Sequence, residues 1–147
     1  MTGEVVVITG GASGIGRAAA LAFAKHGAKV IIGDVDLAGA KDTVASIRDK
    51  GGEADCLQVD VTKSTDVEAM VAKAVAQYGG LDFAFNNAGL VGPTVGIVDT
   101  SEEEWAHVVA TNLTGMWLCM KYEIPEMLKR GKGAIVNNGS EIGRAHV

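Results

Sequence analysis

A glycine-rich segment directly after a short β-branched run constrains the fold of this chain most strongly. The run VVVIT at residues 5–9 is continuous rather than alternating, as expected for a strand buried on both faces of a parallel sheet. It leads into TGGASGIG at residues 9–16, and from Ile15 to His26 the apolar and alanine positions fit a helix that Gly27 ends. The chain therefore opens with a strand, a tight turn and a helix in direct succession.

The spaced glycines of this turn predict a binding site for a dinucleotide. Gly10 permits a sharp turn, Gly14 lets the backbone approach a pyrophosphate, and Gly16 allows close helix packing. The N-terminus of the helix offers unpaired N–H groups to the anion, so Ser13 and Ile15 join the predicted cofactor-binding set. The spacing GxxxGxG differs from GxGxxG, and a glycine-rich turn is often only a tight turn. The strand before it and the helix after it favour the dinucleotide interpretation.

An acidic residue at the end of the second predicted strand supports this interpretation. Asp34 closes KVIIGD at residues 29–34, where a carboxylate can accept hydrogen bonds from the ribose hydroxyls of the cofactor. The alternative is a helix cap or turn, a role that Asp36 can fill instead. A ribose 2′-phosphate would face a like charge costing roughly 4 kcal/mol per charge pair at about 4 Å and an effective dielectric of about 20. No Lys or Arg follows closely, so the sequence favours NAD over NADP.

The rest of the chain alternates strands and helices without a repeat or a low-complexity linker. This alternation predicts one domain over residues 1–147 with a doubly wound parallel α/β sheet, although it leaves the strand order open. Ser64 or Thr65 is expected to be the N-cap of the helix after the third strand, and Glu68, three residues after Thr65, to complete a capping box. A long helix is expected to carry a disturbance at Pro125. The predicted later elements are helix 37–50, strand 54–60, a helix ending at 78, strand 81–89, helix 101–129 and a buried strand at 134–138.

The charge, the apolar runs and the spacing of the cysteines argue against several other functions. A net charge of -5, with 13 Lys and Arg residues spread along the chain, argues against nucleic-acid binding. No apolar run reaches the length of a membrane span and no basic leader opens the chain, so we expect a cytoplasmic protein without a membrane partner. No metal site is expected, because the cysteines are isolated. The cysteines and tryptophans are interpreted as packing residues: Cys56, Cys119, Trp105 and Trp117. His26 and His107 are interpreted as surface residues.

Five motifs together resemble those of the short-chain dehydrogenase/reductase family. They are TGGASGIG at 9–16, DVT at 60–62, NNAG at 86–89, TNLTG at 111–115 and GAIVNNGS at 133–140. The resemblance implies a Rossmann-type sheet with strand order 3-2-1-4-5 in the part present. It also implies that Asp60 and the backbone of Val61 contact the adenine, and that Asn86, Ala88 and Gly89 line the middle of the cofactor.

The resemblance also implies which residues are catalytic. The family uses an Asn, a Ser, a Tyr and a Lys four residues after the Tyr; Asn112 matches the first and Ser140 the second. Taken alone, Asn112 could simply interrupt its helix and Ser140 could be a strand-end turn residue. Neither Tyr78 nor Tyr122 is followed four residues later by Lys, so the acid/base pair is absent from this sequence.

These observations lead to two alternative expectations for function. The first is a truncated NAD-dependent oxidoreductase that transfers hydride between nicotinamide and a small-molecule alcohol or ketone, with the 147 residues alone inactive. The second is a complete, non-catalytic dinucleotide-binding or assembly module. The apolar segment LVGPTVGIVDT at residues 90–100 hints at a small or alicyclic hydroxyl substrate. An apolar face on the long helix predicts a homo-oligomer.

Overall fold

The computed structural model describes residues 2–139, which form a five-stranded parallel sheet flanked by helices. The strand order is β3-β2-β1-β4-β5, so the chain changes direction across the sheet between β1 and β4. This confirms the predicted doubly wound α/β fold and the order implied by the resemblance. The strands are β1 (Val5–Thr9), β2 (Lys29–Asp34), β3 (Ala54–Gln58), β4 (Phe83–Asn86) and β5 (Ala134–Asn137).

The helices cover both faces of the sheet and bury an apolar cluster on each side. Alternate residues of a strand point to opposite faces, so Val6 and Ile8 of β1 join one cluster while Val5 and Val7 join the other. The first cluster packs against α1 and α2, and the second packs against α3 and α5. This explains why VVVIT is apolar at consecutive positions. The helices are α1 (Gly14–Lys25), α2 (Leu37–Arg48), α3 (Ser64–Tyr78), α4 (Glu102–Val109) and α5 (Gly115–Arg130), with a short 3-10 turn at Ile97–Asp99.

The predicted N-cap of α3 is wrong, although the helix does begin at Ser64. Lys63 occupies the N-cap position and makes no side-chain capping bond, so the capping box of Thr65 and Glu68 does not form. The Ser64 hydroxyl instead shares a 2.5 Å hydrogen bond with the Tyr122 hydroxyl on α5. A contact between two helices therefore replaces the local cap that the sequence pattern suggests.

The long helix is interrupted near its middle rather than at Pro125. Residues Ala110–Thr114 form a π-helical turn between α4 and α5, whereas Pro125 lies inside α5. The capped start is confirmed, because Ser101 and Glu104 form a capping box. Two contacts hold the wide turn in place. Asn112, at its centre, hydrogen-bonds to a distant loop, and Gly115, directly after it, packs so closely on Val61 that a Cβ would lie 2.7 Å from a Val61 methyl group.

The last strand and the tryptophans are more exposed than the sequence predicts. Within the described residues β5 lies at the edge of the sheet, and only Ile135 in it is half-buried, so the predicted buried strand is wrong. Trp105 and Trp117 are 62% and 54% exposed, which contradicts their interpretation as packing residues. Cys119 is buried and Cys56 half-buried, in agreement with their predicted packing role. Across residues 2–139, none of the helices has the length and apolar character needed to span a bilayer.

Candidate cofactor-binding site

The glycine turn between β1 and α1 has the geometry that its sequence predicts. Gly10 adopts a φ of +70° and donates its N–H to the carbonyl of Gly33 at 2.9 Å, which ties the turn to the end of β2. Gly14 adopts a φ of +53°, and a Cβ built on it meets no atom within 4 Å. Gly16 is buried, and a Cβ there would collide with the Gly10 carbonyl and lie 2.6 Å from the Asn87 amide. The turn is therefore tight on its inner side and open on its outer side.

The N-terminus of α1 faces this open side, and no side chain among the described residues 2–139 caps it. Ser13 is the N-cap residue in an extended conformation, and its side chain makes no capping bond. The first turn carries no acidic side chain. Ser13, Gly14 and Ile15 are exposed, with the Ile15 side chain 65% accessible. The end of the helix thus offers donors and a positive dipole to an anion that can approach closely.

Asp34 joins the end of β2 to the glycine turn. One carboxylate oxygen accepts a hydrogen bond from the Ala12 N–H at 2.9 Å, and the other accepts one from the Asp36 N–H at 2.9 Å. Asp36 itself caps α2 by accepting from the Gly39 N–H at 3.1 Å, so the capping role falls to Asp36. None of the ion pairs within residues 2–139 includes Asp34. Its negative charge therefore stands beside the turn without a neighbouring cation from that part of the chain.

Asp60 and Val61 lie in the turn between β3 and α3. The Asp60 carboxylate accepts hydrogen bonds from the hydroxyl of Thr62 at 2.7 Å and from its N–H at 3.0 Å, and these bonds lower the pKa of Asp60. Lys63 adds an ion pair at 3.4 Å. The Val61 side chain is buried against Gly115, which leaves its backbone as the part that could meet a ligand.

Asn87 is a structural residue of the site that the sequence interpretation missed. Its side-chain amide donates to the carbonyls of Thr9 at 3.1 Å and Gly10 at 3.2 Å. In return the Thr9 hydroxyl accepts from the N–H groups of Asn87 and Ala88, both at 3.0 Å. These four bonds fix the segment after β4 beside the glycine turn. The available signal was the second asparagine of NNAG, a polar side chain that directly follows a strand expected to adjoin β1.

Ala88 and Gly89 extend this segment along the site, whereas the Asn86 side chain points into the protein. Asn86 is 2% exposed and its amide nitrogen donates to Glu123 on α5 and to Asn137 on β5, both at 3.0 Å. Glu123 is fully buried, and this burial raises its pKa to about 7. No pattern in the sequence singled out Glu123, because glutamate in a helix is ordinarily a surface residue.

Asn112 binds the backbone of the loop that follows β4. Its side-chain oxygen accepts from the Leu90 N–H and its nitrogen donates to the Leu90 carbonyl, both at 2.9 Å. The helix is interrupted at this residue, but the partner is a distant loop and not a neighbouring helical carbonyl. The second predicted catalytic residue, Ser140, lies outside the described residues. Within residues 2–139, no group of three or more His, Cys, Asp or Glu side chains could hold a metal ion.

The parallel sheet and the glycine turn at its change of direction define a Rossmann-type domain. The chain belongs to the short-chain dehydrogenase family, because residues 4–147 match the family described as short chain dehydrogenase. A 2,5-dichloro-2,5-cyclohexadiene-1,4-diol dehydrogenase of Sphingobium indicum is 45% identical over 97% of this chain and 57% of its own. A cyclohexanol dehydrogenase of an Acinetobacter species is 39% identical over 95% of this chain and 56% of its own.

Solved structures give the same result for the fold. The crystal structure of NAD+-bound xylitol dehydrogenase has a TM-score of 0.93 at 34% identity, covering 97% of this chain and 55% of that one. The crystal structure of levodione reductase has a TM-score of 0.92, also at 34% identity, covering 95% of this chain and 55% of that one. The chain therefore spans a little more than half the length of the relatives it matches.

Proposed function

We propose that this chain is the cofactor-binding part of an NAD-dependent oxidoreductase acting on small alcohols or ketones. The observation that carries the proposal is the uncapped N-terminus of α1, which lies beside the open face of Gly14 and close to the charge of Asp34. The residues present fit a dinucleotide, since donors for a diphosphate and an acceptor for ribose hydroxyls stand on adjacent parts of one turn. A bound nicotinamide would supply the hydride acceptor or donor.

Each part of the site has a separate task in this proposal. The N–H groups at Gly14 and Ile15 would bind the pyrophosphate, while Asp34 would hold the adenosine ribose. Asp60 and the Val61 backbone would contact the adenine. Beyond the pyrophosphate, Ala88 and Gly89 would line the middle of the cofactor, with Asn87 and Asn86 holding that segment in place. The proposal is supported by the way Thr9 and Asn87 fix the two sides of the site to each other.

The preference for NAD rests on Asp34. Its carboxylate is already held by two backbone N–H groups, so it cannot turn away from an approaching 2′-phosphate without breaking them. The repulsion is therefore built into the turn. The similarity to an NAD+-bound xylitol dehydrogenase agrees with this preference.

Asn112 and Ser140 are the proposed catalytic residues within this chain. The sequence contains no Tyr followed four residues later by Lys, so it lacks the proton-transfer pair that the family resemblance implies. Loss of a positioned acid or base typically costs 10²- to 10⁴-fold in rate. We therefore propose that the 147 residues alone bind cofactor without measurable turnover of an alcohol or a ketone.

A cyclic alcohol is the proposed class of substrate. The segment after β4 exposes several large apolar side chains near the loop that Asn112 anchors: Val91, Val95, Ile97 and Val98. An apolar surface at this position suits a hydrocarbon ring. Relatives named for dichlorocyclohexadienediol and cyclohexanol dehydrogenases point to the same class.

One pair of matched variants tests cofactor binding at α1. Ile15→Asp places a carboxylate in the exposed first turn of α1, and Ala38→Asp places one at the equivalent exposed position of α2. Because a carboxylate suits the N-terminus of either helix, both variants should remain folded. Ile15→Asp should weaken NAD binding on the order of 100-fold by repelling the pyrophosphate, whereas Ala38→Asp should leave it unchanged. Equal effects of the two variants in calorimetric titrations would disprove the site.

A further inference from the structure

A polar cluster, in which Asn86 and Glu123 are buried and Asn137 is exposed, joins the carboxyl ends of β4 and β5 to α5. It consists of Asn86 at the end of β4, Asn137 at the end of β5 and Glu123 on α5. The amide nitrogen of Asn86 donates to an oxygen of each partner at 3.0 Å. The backbone continues this connection, because the Asn138 N–H donates to the Asn86 carbonyl at 2.9 Å. The cluster therefore lies at the two strand ends that lead into Ala88 and into Asn138.

Hydrogen bonding in this cluster is incomplete in a specific way. Within residues 2–139, Asn86 Oδ1 and Glu123 Oε1 are buried and have no hydrogen-bond partner. Both atoms are acceptors when Glu123 is ionised, and they belong to two side chains that already share one hydrogen bond. Leaving two buried acceptors without donors is unfavourable. A single proton on Glu123 supplies the missing donor, in the two-bond pairing that a carboxylic acid forms with a primary amide.

We infer that Glu123 carries a proton which it shares with Asn86, and that this acid–amide pair positions the ends of β4 and β5. The proton converts Glu123 into a donor toward Asn86 Oδ1 while its other oxygen still accepts from the Asn86 nitrogen. Glu123 is a positioning residue in this arrangement, since it acts on the site only through the two asparagines. The importance of this positioning for cofactor binding rests on the proposed function. The protonation of Glu123 does not depend on the proposed function.

The surroundings of Glu123 favour the neutral acid. It is fully buried, and none of the ion pairs within residues 2–139 includes it. Burial raises its pKa to about 7, while the Asn86 hydrogen bond acts in the opposite direction. On α5 itself, Cys119 lies one turn earlier, and its pKa is raised to about 12 by burial and by the Glu123 charge. A thiol is neutral or, when ionised, negative, so Cys119 offers no positive charge to compensate an ionised Glu123.

The other elements that pack against α5 also present no cation to Glu123 among the described residues. β4 and β5 face it with the neutral amides of Asn86 and Asn137. The π-helical turn contains no titratable residue. The titratable side chains of α3 are engaged elsewhere or exposed: Asp66 with the Asp60 N–H, Lys73 with Asp55, Tyr78 beneath Lys29, and Glu68 in solvent.

Thermal unfolding of the chain between pH 5 and 8 tests whether Glu123 is protonated in the folded state. Because the pKa of Glu123 is raised in the folded state, its contribution to stability is complete below the unfolded pKa and is lost as the pH rises toward the folded pKa. The melting temperature should therefore fall, by roughly 5 to 10 °C over this range. Glu123→Gln supplies the donor to Asn86 at every pH. The melting temperature of this variant should therefore equal that of the unmutated chain at pH 5 and should not decrease as the pH rises to 8. Glu126→Gln, which changes a partly exposed glutamate on the same helix that is paired with Lys129, should retain the full decrease in melting temperature.

Two results of this experiment would contradict the inference that Glu123 is protonated. One is a Glu123→Gln variant that keeps the full pH dependence of the unmutated chain. The other is a Glu123→Gln variant that is much less stable than the unmutated chain at pH 5, since the amide reproduces the bonds of the neutral acid. A variant that fails to fold at pH 5 counts as this second result.

Nuclear magnetic resonance of the unmutated chain tests positioning without any variant or cofactor. The Glu123 carboxyl carbon should titrate near pH 7, and the backbone amide signals of Ala88 and Asn138 should shift with the same midpoint. A Glu123 titration midpoint near the ordinary glutamate value would contradict the inference that Glu123 is protonated. A midpoint near 7 with unmoved Ala88 and Asn138 signals would overturn the positioning role. If both results hold while NAD fails to bind, the proposed function falls and this inference stands.

Discussion

The carboxylate of Asp34 accepts a hydrogen bond from the Ala12 N–H, 22 residues away in sequence, at 2.9 Å. This bond gives Asp34 a structural task in addition to its proposed task at the ribose. The charge of the carboxylate and its bond to the glycine turn must therefore be removed separately in any test of cofactor choice.

Asp34→Asn and Asp34→Ala separate these two contributions. Asn keeps an oxygen that can accept from the Ala12 N–H but removes the charge, so NADP binding should improve by about 10-fold or more while NAD binding falls modestly. Ala removes both and should weaken the binding of either cofactor. Calorimetric titration with NAD and NADP measures the ratio. Equal affinity for the two cofactors in the unmutated chain would show that Asp34 does not face the ribose.

Replacement of Asn112 should destabilise the chain through the π-helical turn. Asn112→Ala removes both hydrogen bonds to Leu90 and leaves a half-buried loop backbone without those partners, at a cost of about 2 kcal/mol in the free energy of unfolding. Thr114→Ala is the matched control, since it lies exposed in the same turn. Urea unfolding should place the control within about 0.5 kcal/mol of the unmutated chain. A neutral Asn112→Ala would mean that the loop after β4 does not depend on this side chain.

Gly16 is expected to tolerate no side chain. A Cβ at this position would collide with the Gly10 carbonyl and the Asn87 amide, so Gly16→Ala should lower the free energy of unfolding by about 2 to 3 kcal/mol. Gly139→Ala serves as the control, because a Cβ there meets no atom within 4 Å. Denaturant unfolding of the two variants should differ accordingly. Equal stabilities would show that the turn relaxes around the added methyl group.

The exposed apolar side chains of α4, the π-helical turn and α5 predict self-association. Trp105, Leu113, Trp117 and Leu128 are all more than half exposed, which is unusual for a protein that remains monomeric. Light scattering over a dilution series should show a dimer or larger species at tens of micromolar. Trp117→Lys should shift this equilibrium toward monomer, whereas Val35→Lys, which changes an equally exposed valine after β2, should not. A clean monomer of the unmutated chain would contradict this prediction.

The fold was predictable from the sequence because its signals are local. VVVIT, the glycine turn and the regular alternation each depend on residues close together in the chain, and the order of the strands followed from the family resemblance. Two of the errors concern contacts between distant residues. Ser64 bonds to Tyr122 rather than capping α3, and Asn112 bonds to Leu90. Neither partner could be identified from spacing along the chain.

The candidate site shows the same division between local and distant signals. The glycines and Asp34 have recognisable positions relative to the first two strands, so the sequence alone predicts them as cofactor-binding residues. Asn87 and Glu123 were missed, because their importance comes from partners more than 35 residues away. Residue identity alone does not distinguish the fully buried Glu123 from the partly exposed, ion-paired Glu126 three positions later.

Titration of NAD into the isotopically labelled chain, followed through its backbone amide signals, tests the central claim most directly. We expect saturable shifts at Gly14 and Ile15 from the pyrophosphate, at Ala12 and Asp34 from the ribose, and at Ala88 from the middle of the cofactor. The same titration with NADP should produce weaker shifts at these residues. Absence of saturable shifts, or shifts confined to residues away from the glycine turn, would contradict the assignment of this site to a dinucleotide.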